Sequence, residues 1–386
     1  MDKKICSISV IVPIYYGKKY IDSMIAQIEE CAEHLDDDVC IELVLVNDAP
    51  DDYIDNRYSS ERIEIFILNT DKNRGIQGAR VYGLEHAKGE YVVFLDQDDL
   101  LKPEYLASQM KCIGEADACV CRALHEGKQF YDSVRAFEQE VSKESMLEKG
   151  CGIVSPGQVL LRKSAVSSVW KKNILEHNGA DDWLLWICMF GEGKSFALNQ
   201  EVLYEHVVDG TNASWNTARM MCSEEDVYNI MCRAGILPEC ELATLEQTIK
   251  RIQSKRLSIM DKFKKQFFCL DAWMNLENKG LSVEGYLARA GYRKVAIYGY
   301  GYIGKQLYGR LRRGNIEVAY IIDQNASFLD VDAKCYSLSE ELPEADLIIV
   351  TLLDHENVVG EQIKEKTPAT VFSVKELLRM VEVDRH

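Results

Sequence analysis

The 386-residue chain contains no apolar run approaching the roughly 20 residues that a membrane-crossing helix needs, so no stretch of it reads as a bilayer span. Met1, Asp2, Lys3 and Lys4 lead directly into a strand-like run. The apolar region and small-residue cleavage site of a secretory leader are missing, and the expected location is the cytosol. There is no Cys-x-x-Cys pair either. The 13 cysteines are odd in number and scattered, several within apolar runs, which points to reduced core residues rather than a disulfide framework or a thiolate metal site. Excess positive charge is also lacking. A net charge of −17 excludes general nucleic-acid binding, which depends on Lys and Arg neutralising phosphates. It does not exclude anionic small molecules, which backbone amides, a metal or single arginines capture locally. No internal repeat is visible. What remains, 47% hydrophobic and 28% charged, is the composition of a globular protein, long enough for two or three domains each with its own core.

The first third alternates strand and helix. A Val/Ile-rich strand over 7–15 reaches Pro13, a helical stretch covers 20–35, and strands follow at 41–46, 62–68 and 91–95, with a helix over 78–87 before the last. That order predicts a parallel α/β sheet. The segment 111–149 is poorly legible. Beyond it, 155–162 reads as a strand and 181–190 as an amphipathic helix holding Trp183 and Trp186. Residues 217–289 are helical in pattern and rich in charge.

Ligands of open α/β sheets sit beyond the carboxyl ends of the strands. Three such ends carry polar groups here: Pro13 and Tyr15, then Asn47 and Asp48, then Asp96, Gln97, Asp98 and Asp99. An aromatic ring and carboxylates around one crevice suit a nucleotide base, which offers a face to stack on and an N–H edge. Acidic helix caps would explain Asp48 or Asp99 alone, but not all three ends. In Asp96-Gln97-Asp98, strand alternation puts both carboxylates on one side, where a hard divalent ion can bridge them to substrate phosphates and neutralise a departing diphosphate.

Taken in order, Ser9 to Tyr15, Val46 to Asp48, Asn73 and Gly75 with Ala79, Arg80, Gly83 and Leu84, and Phe94 to Asp99 resemble glycosyltransferase family 2 over roughly the first 215 residues. The resemblance implies a GT-A fold that binds a nucleotide-diphosphate sugar, most simply a UDP-sugar, with Mn²⁺ or Mg²⁺ and transfers the sugar with inversion. It assigns Pro13, Tyr15 and Asp48 to the base, and Asn73, Gly75 and Arg80 to the ribose and diphosphate. Asp96 goes to the ribose or sugar with Gln97 beside it, and Asp98 to the metal, with Asp96 as a second carboxylate. Inversion needs a base outside that cluster. Gly179 to Trp183 resembles the family's acidic pair followed by tryptophan, which makes Asp182 the candidate base and Asp181 its support; two acids favoured at a helix N-terminus are the alternative. His206, after Tyr204 and Glu205, and the segment Asn212 to Ser214 resemble the family's closing His and Asn-x-Ser, so His206 is a candidate metal ligand. The sequence departs from the family at Ala49-Pro50, where Gly-Ser is usual, and at Val81, where Asn is usual.

A second βαβ unit begins at 294–298. Gly299, Gly301 and Gly304 follow that strand and open a helix, and Asp323 closes the next strand about 20 residues on, the arrangement of a dinucleotide fingerprint. The unit is similar to the small Rossmann-like domains appended to nucleotide-sugar enzymes, such as the N-terminal part of sialic-acid-type O-acetyltransferases. A nucleotide, NAD, or packing alone would each explain its glycines.

The expected fold class is therefore α/β: a GT-A nucleotide-diphospho-sugar transferase fold over 1–216, a helical linker or bundle over 217–291, and a small Rossmann-like α/β domain over 292–386. The leading function is an inverting glycosyltransferase acting on a cell-surface glycan or lipid-linked acceptor, at the inner face of the membrane if the acceptor is lipid-linked. A peripheral membrane contact and a homodimer stay open. The alternatives are a non-catalytic nucleotide-sugar-binding protein and an NAD-dependent oxidoreductase acting through the C-terminal unit.

Overall fold

The computed structural model describes residues 6–208, 216–314 and 316–384. The chain divides into two compact units, Met1–Ser254 and Lys255–His386, and the helical stretch is shared out between them: helix Thr217–Ala234 falls in the first, helix Val283–Arg289 in the second, and helix Glu239–Asn278 spans the division.

The first unit is built on nine strands: β1 (Cys6–Ile14), β2 (Val39–Asn47), β3 (Glu64–Asn69), β4 (Tyr91–Phe94), β5 (Leu100–Leu101), β6 (Ala118–His125), β7 (Lys128–Gln129), β8 (Val159–Arg162) and β9 (Phe196–His206). They follow the order β3-β2-β1-β4-β8-β6-β9-β5, with β7 paired to β6. The unbroken apolar run of β1 is explained by burial on both faces. Val10 and Val12 share a core with Met24 and Ile28 of helix Ile21–Glu33, and Ile11 shares another with Ala79 and Leu84 of helix Gly75–His86. Helix Asp181–Gly191 is buried nearly all round, from Trp183 to Met189.

The parallel sheet expected from the sequence is found in β3-β2-β1-β4, and parallel pairing recurs between β6 and β9. Beyond β4 the sheet is mixed: β8 runs antiparallel to β4 and β6, and β5 antiparallel to β9. Strands β6 and β9 escaped the sequence reading because Arg122 and the run Asn199, Gln200, Glu201 interrupt their apolar pattern, at the place where their pairing register shifts.

The second unit holds β10 (Lys294–Tyr298), β11 (Glu317–Ile322), β12 (Cys335–Tyr336), β13 (Leu347–Val350) and β14 (Thr370–Ser373). All are parallel, in the order β12-β11-β10-β13-β14, with a core on each face. This is the Rossmann-like arrangement, with β10 and β11 as the two strands that flank the glycine loop and its helix. Its third fingerprint glycine is a packing requirement, because a Cβ on Gly304 would stand 2.0 Å from the carbonyl oxygen of Gly299. The described cysteines are all free; Cys31, Cys119, Cys121, Cys188 and Cys269 lie in the core as expected, whereas Cys40, Cys232 and Cys240 are exposed.

Candidate active site

Because β1, β2 and β4 are parallel neighbours, their carboxyl ends open onto one edge of the sheet, and the chain leaves them as Tyr15, Asp48 and Asp96. Pro13 pairs with Val46 inside the sheet, so it shapes the end of β1. Tyr15 is 54% exposed, leaving an aromatic face open to the crevice. Its backbone N–H donates to Oε1 of Gln97 at 3.0 Å, and a Cβ on Gly17 would strike the same amide. Gln97 therefore ties the ends of β1 and β4 together.

Asp48 is buried. Its carboxylate accepts from the Arg74 N–H at 2.7 Å and faces the Thr70 hydroxyl at 3.4 Å, while Asn73 donates to its carbonyl at 3.2 Å. Burial raises its pKa above the usual carboxylate range, opposed by the N–H groups of Arg74 and Gly75. Gly75 opens helix Gly75–His86 with φ +72°, and a Cβ there would lie 2.5 Å from Oδ1 of Asn178. Glycine is needed both for that backbone and for the close approach of the 173–180 loop.

Arg80 is placed otherwise than its assignment to the diphosphate implies. It is only 2% exposed, and its guanidinium spans Asp181 at 2.7 Å and Asp96 at 2.5 Å. Burial opposes its charge, but the two carboxylates outweigh that and hold it cationic. Asp96 also accepts from the Ser155 hydroxyl at 3.1 Å, so each of its oxygens carries a protein hydrogen bond. Asp181 sits in the first helical turn, not at the cap, which is Ala180; the Ala180 N–H is held by Ser223 and the Asp181 carbonyl by the Trp170 indole N–H.

Asp182, next along that turn, is only partly buried, and its Oδ1 accepts from the Trp183 N–H at 2.7 Å. Burial, then Asp181, pushes its pKa up to about 7, against the pull of Arg80. The two acids at the helix start thus differ in surroundings: Asp181 is buried against Arg80, and Asp182 is partly exposed with a raised pKa.

Asp99, Tyr204, Ser155 and His125 join the site without having been assigned a role from the sequence. Asp99 is buried, takes the Tyr204 hydroxyl and accepts from the Val207 N–H at 2.9 Å. Burial and then Asp96 raise its pKa to about 8. A carboxyl whose folded pKa lies above its ordinary value of 3.8 contributes stability that is complete below about pH 4 and is lost as pH rises through about 8. Asp99→Asn cannot ionise, yet its amide can still accept from Val207 and donate to Tyr204. The melting temperature of this variant is expected to fall less than that of the wild type between pH 4 and 8; an unchanged pH slope would contradict the assignment.

His206, at the end of β9, stacks on His125 with Nδ1 atoms 2.9 Å apart. Burial, then His125, lowers its pKa, so the ring is neutral at physiological pH, as a metal ligand must be. Asp96, Asp98 and His206 do not bring three ligand atoms together. Among the described residues, Glu176, His177 and Asp226 do so, and there both the His177 backbone N–H and its ring already bond Asp226. The Asn212 to Ser214 segment lies outside the described residues.

In the second unit, Gly299 has φ +89° and Gly301 caps helix Tyr302–Leu311. Asp323, the fingerprint acid, accepts from the backbone N–H groups of Tyr300 at 2.7 Å and Asn325 at 2.9 Å. Its carboxylate braces the glycine loop.

Residues 9–170 match the family described as glycosyl transferase family 2. The chain is 31% identical over 118 residues to glycosyltransferase GlyG of Streptococcus pneumoniae, covering 29% of this chain and 37% of that one. It is 28% identical over 212 residues to glycosyltransferase GlyA of the same organism, covering 51% of this chain and 29% of that one. The chain thus spans well under half the length of these relatives. Among solved structures, S. aureus TarS 1-349 in complex with UDP-GlcNAc is 18% identical, with 64% of this chain and 73% of that chain covered and a TM-score of 0.47.

Proposed function

We propose, from the premise that the N-terminal part of this chain is a glycosyltransferase family 2 domain of GT-A fold, that the protein transfers a sugar from a UDP-sugar to an acceptor hydroxyl with inversion. The acceptor is a cell-surface glycan or its lipid-linked precursor. The observation that carries this reading is Asp182, a carboxylate with pKa about 7 beside the Arg80 bridge that joins Asp96 to Asp181.

In this reading the uracil stacks on the exposed ring of Tyr15 and presents its N–H edge to Asp48. Asn73 and Gly75 shape the start of the helix against which the diphosphate lies, where backbone N–H groups favour an anion. Asp98 and His206, a hard oxygen and a neutral imidazole nitrogen, would hold Mn²⁺ or Mg²⁺ by their chemistry. When bound, such an ion supplies charge neutralisation to the leaving diphosphate. Asp96, locked by Arg80 and Ser155, orients the donor sugar and ribose. Asp182 takes the acceptor's proton on Oδ2, its Oδ1 being held by the Trp183 N–H. As that proton moves, the acceptor oxygen bonds to the anomeric carbon and the carbon–oxygen bond to the diphosphate breaks. The electron pair leaves with UDP.

The nicotinamide alternative is less well supported, because Asp323, the acid it would use to hold a ribose, is engaged by two backbone N–H groups. A thermal-shift panel of UDP, GDP, CDP, their sugars and NAD, each with and without Mn²⁺, separates the readings. Uridine nucleotides are expected to raise the melting temperature only with manganese, by about 2.7 kcal/mol of added stability at 100 times Kd. Asp98→Asn is expected to remove the manganese-dependent part. Stabilisation by NAD alone would overturn the proposal.

A further inference from the structure

The second unit carries an apolar face that its own core does not use. Along the part of helix Glu239–Asn278 that belongs to this unit, Cys269, Trp273 and Leu276 point into the core. Met260, Phe263, Phe267 and Met274 do not: they are 50%, 66%, 65% and 64% exposed. At 3.6 residues per turn these four, with exposed Ile259, fall within about 100° of arc whose centre stands about 120° round the helix from the core-facing residues; only its near edge, at half-buried Leu270, touches the core. Three or four large apolar side chains on one helical face, mostly uncovered, exceed the scattered singles that need no explanation.

The charge around this face is opposite to that of the chain. Within 255–278, Lys255, Arg256, Lys262, Lys264 and Lys265 stand against Asp261, Asp271 and Glu277, a local net of +2 in a protein of net −17, with four of the five cations and one acid in 255–264. Lys265 is also paired with Asp354. Lys262 and Lys264 lie on either side of the apolar arc, where long side chains can reach past it to phosphate groups while the rings enter the acyl boundary. Surface charges farther off than about 8 Å are screened at physiological ionic strength, so the acidic remainder of the chain does not cancel this local attraction. A second copy of the same helix is a poorer occupant, because it would bring the same cationic flanks against these.

We propose that this face is a docking surface for an anionic lipid bilayer, with Phe263 and Phe267 inserted at the interface and the flanking lysines on the headgroups. The inference does not depend on the transferase reading, since no residue of the sheet crevice takes part.

The test is co-sedimentation of the full chain with vesicles of phosphatidylcholine alone or mixed with phosphatidylglycerol, at low and high salt. Binding is expected with the anionic vesicles, weakened by salt. Phe263→Ser with Phe267→Ser should reduce partitioning roughly tenfold or more, and Lys262→Glu with Lys264→Glu should remove the preference for anionic lipid. All four positions are exposed, so the melting temperature of each double variant should match the wild type and report that the fold is intact. Equal binding to neutral vesicles, or sedimentation unaffected by the phenylalanine replacements, would overturn the proposal. So would the absence of vesicle binding together with a dimer that the phenylalanine variant dissociates.

Discussion

Asp182→Asn is expected to lower turnover by roughly 10²- to 10⁴-fold, the range for loss of a general base, while leaving manganese-dependent binding of the donor unchanged. The amide is isosteric and can keep the hydrogen bond from the Trp183 N–H, so the helix start should hold its shape. What it cannot do is accept the acceptor's proton. The wild-type rate should rise with pH along a limb centred near 7, because only the deprotonated carboxylate acts and its pKa is about 7. Burial and then Asp181 raise this pKa, so Asp181→Asn should move the limb to lower pH. A turnover of Asp182→Asn equal to that of the wild type, measured as UDP release with a competent acceptor, would refute the role. A limb that stays in place in the Asp181 variant would refute only its electrostatic origin.

Arg80→Gln is expected to destabilise the first unit by about 3–5 kcal/mol, the cost of leaving a buried ion-pair partner uncompensated. Asp181 is buried as deeply as Arg80, and both it and Asp96 depend on the same guanidinium. Denaturant titration of the single variants and of Arg80→Gln with Asp181→Asn gives the coupling between them. The double variant should recover part of the loss, because it replaces two buried charges with neutral amides. Full additivity would mean that the bridge contributes nothing specific. Activity carries an independent sign: Arg80 lowers the pKa of Asp182, so in any folded Arg80→Gln protein the rising limb should move to higher pH, opposite to the Asp181 variant.

These two predictions depend on contacts whose members were legible as residues but not as partners. Arg80, Asp96, Asp181 and Asp182 all stood out in the sequence, each in its own motif. That Arg80 bridges the two carboxylates follows from helix Gly75–His86 packing on β1 while helix Asp181–Gly191 brings its first turn to the same edge. A separation of 101 positions between Arg80 and Asp181 leaves no periodic trace. Gln97 is a similar case: its place between Asp96 and Asp98 is legible in the sequence, and that its amide joins two strand ends is not. Asp99 was visible as an acid, but its partners Tyr204 and Val207 arrive on β9 and the residues after it, a strand hidden by its own polar interruption.

The alternation of strand and helix around β1 to β4, the three polar strand ends and the second glycine-opened unit are legible in the chain alone, because each is encoded locally. An apolar run buried on both faces, a glycine at positive φ and carboxylates beyond a strand are legible within a few residues. Packing alone makes the sheet mixed beyond β4, sets Asp323 bracing its own loop, raises the pKa of Asp182 and leaves Phe263 and Phe267 uncovered on their helix. Burial and long-range charge set each of those, and neither exists until distant segments pack.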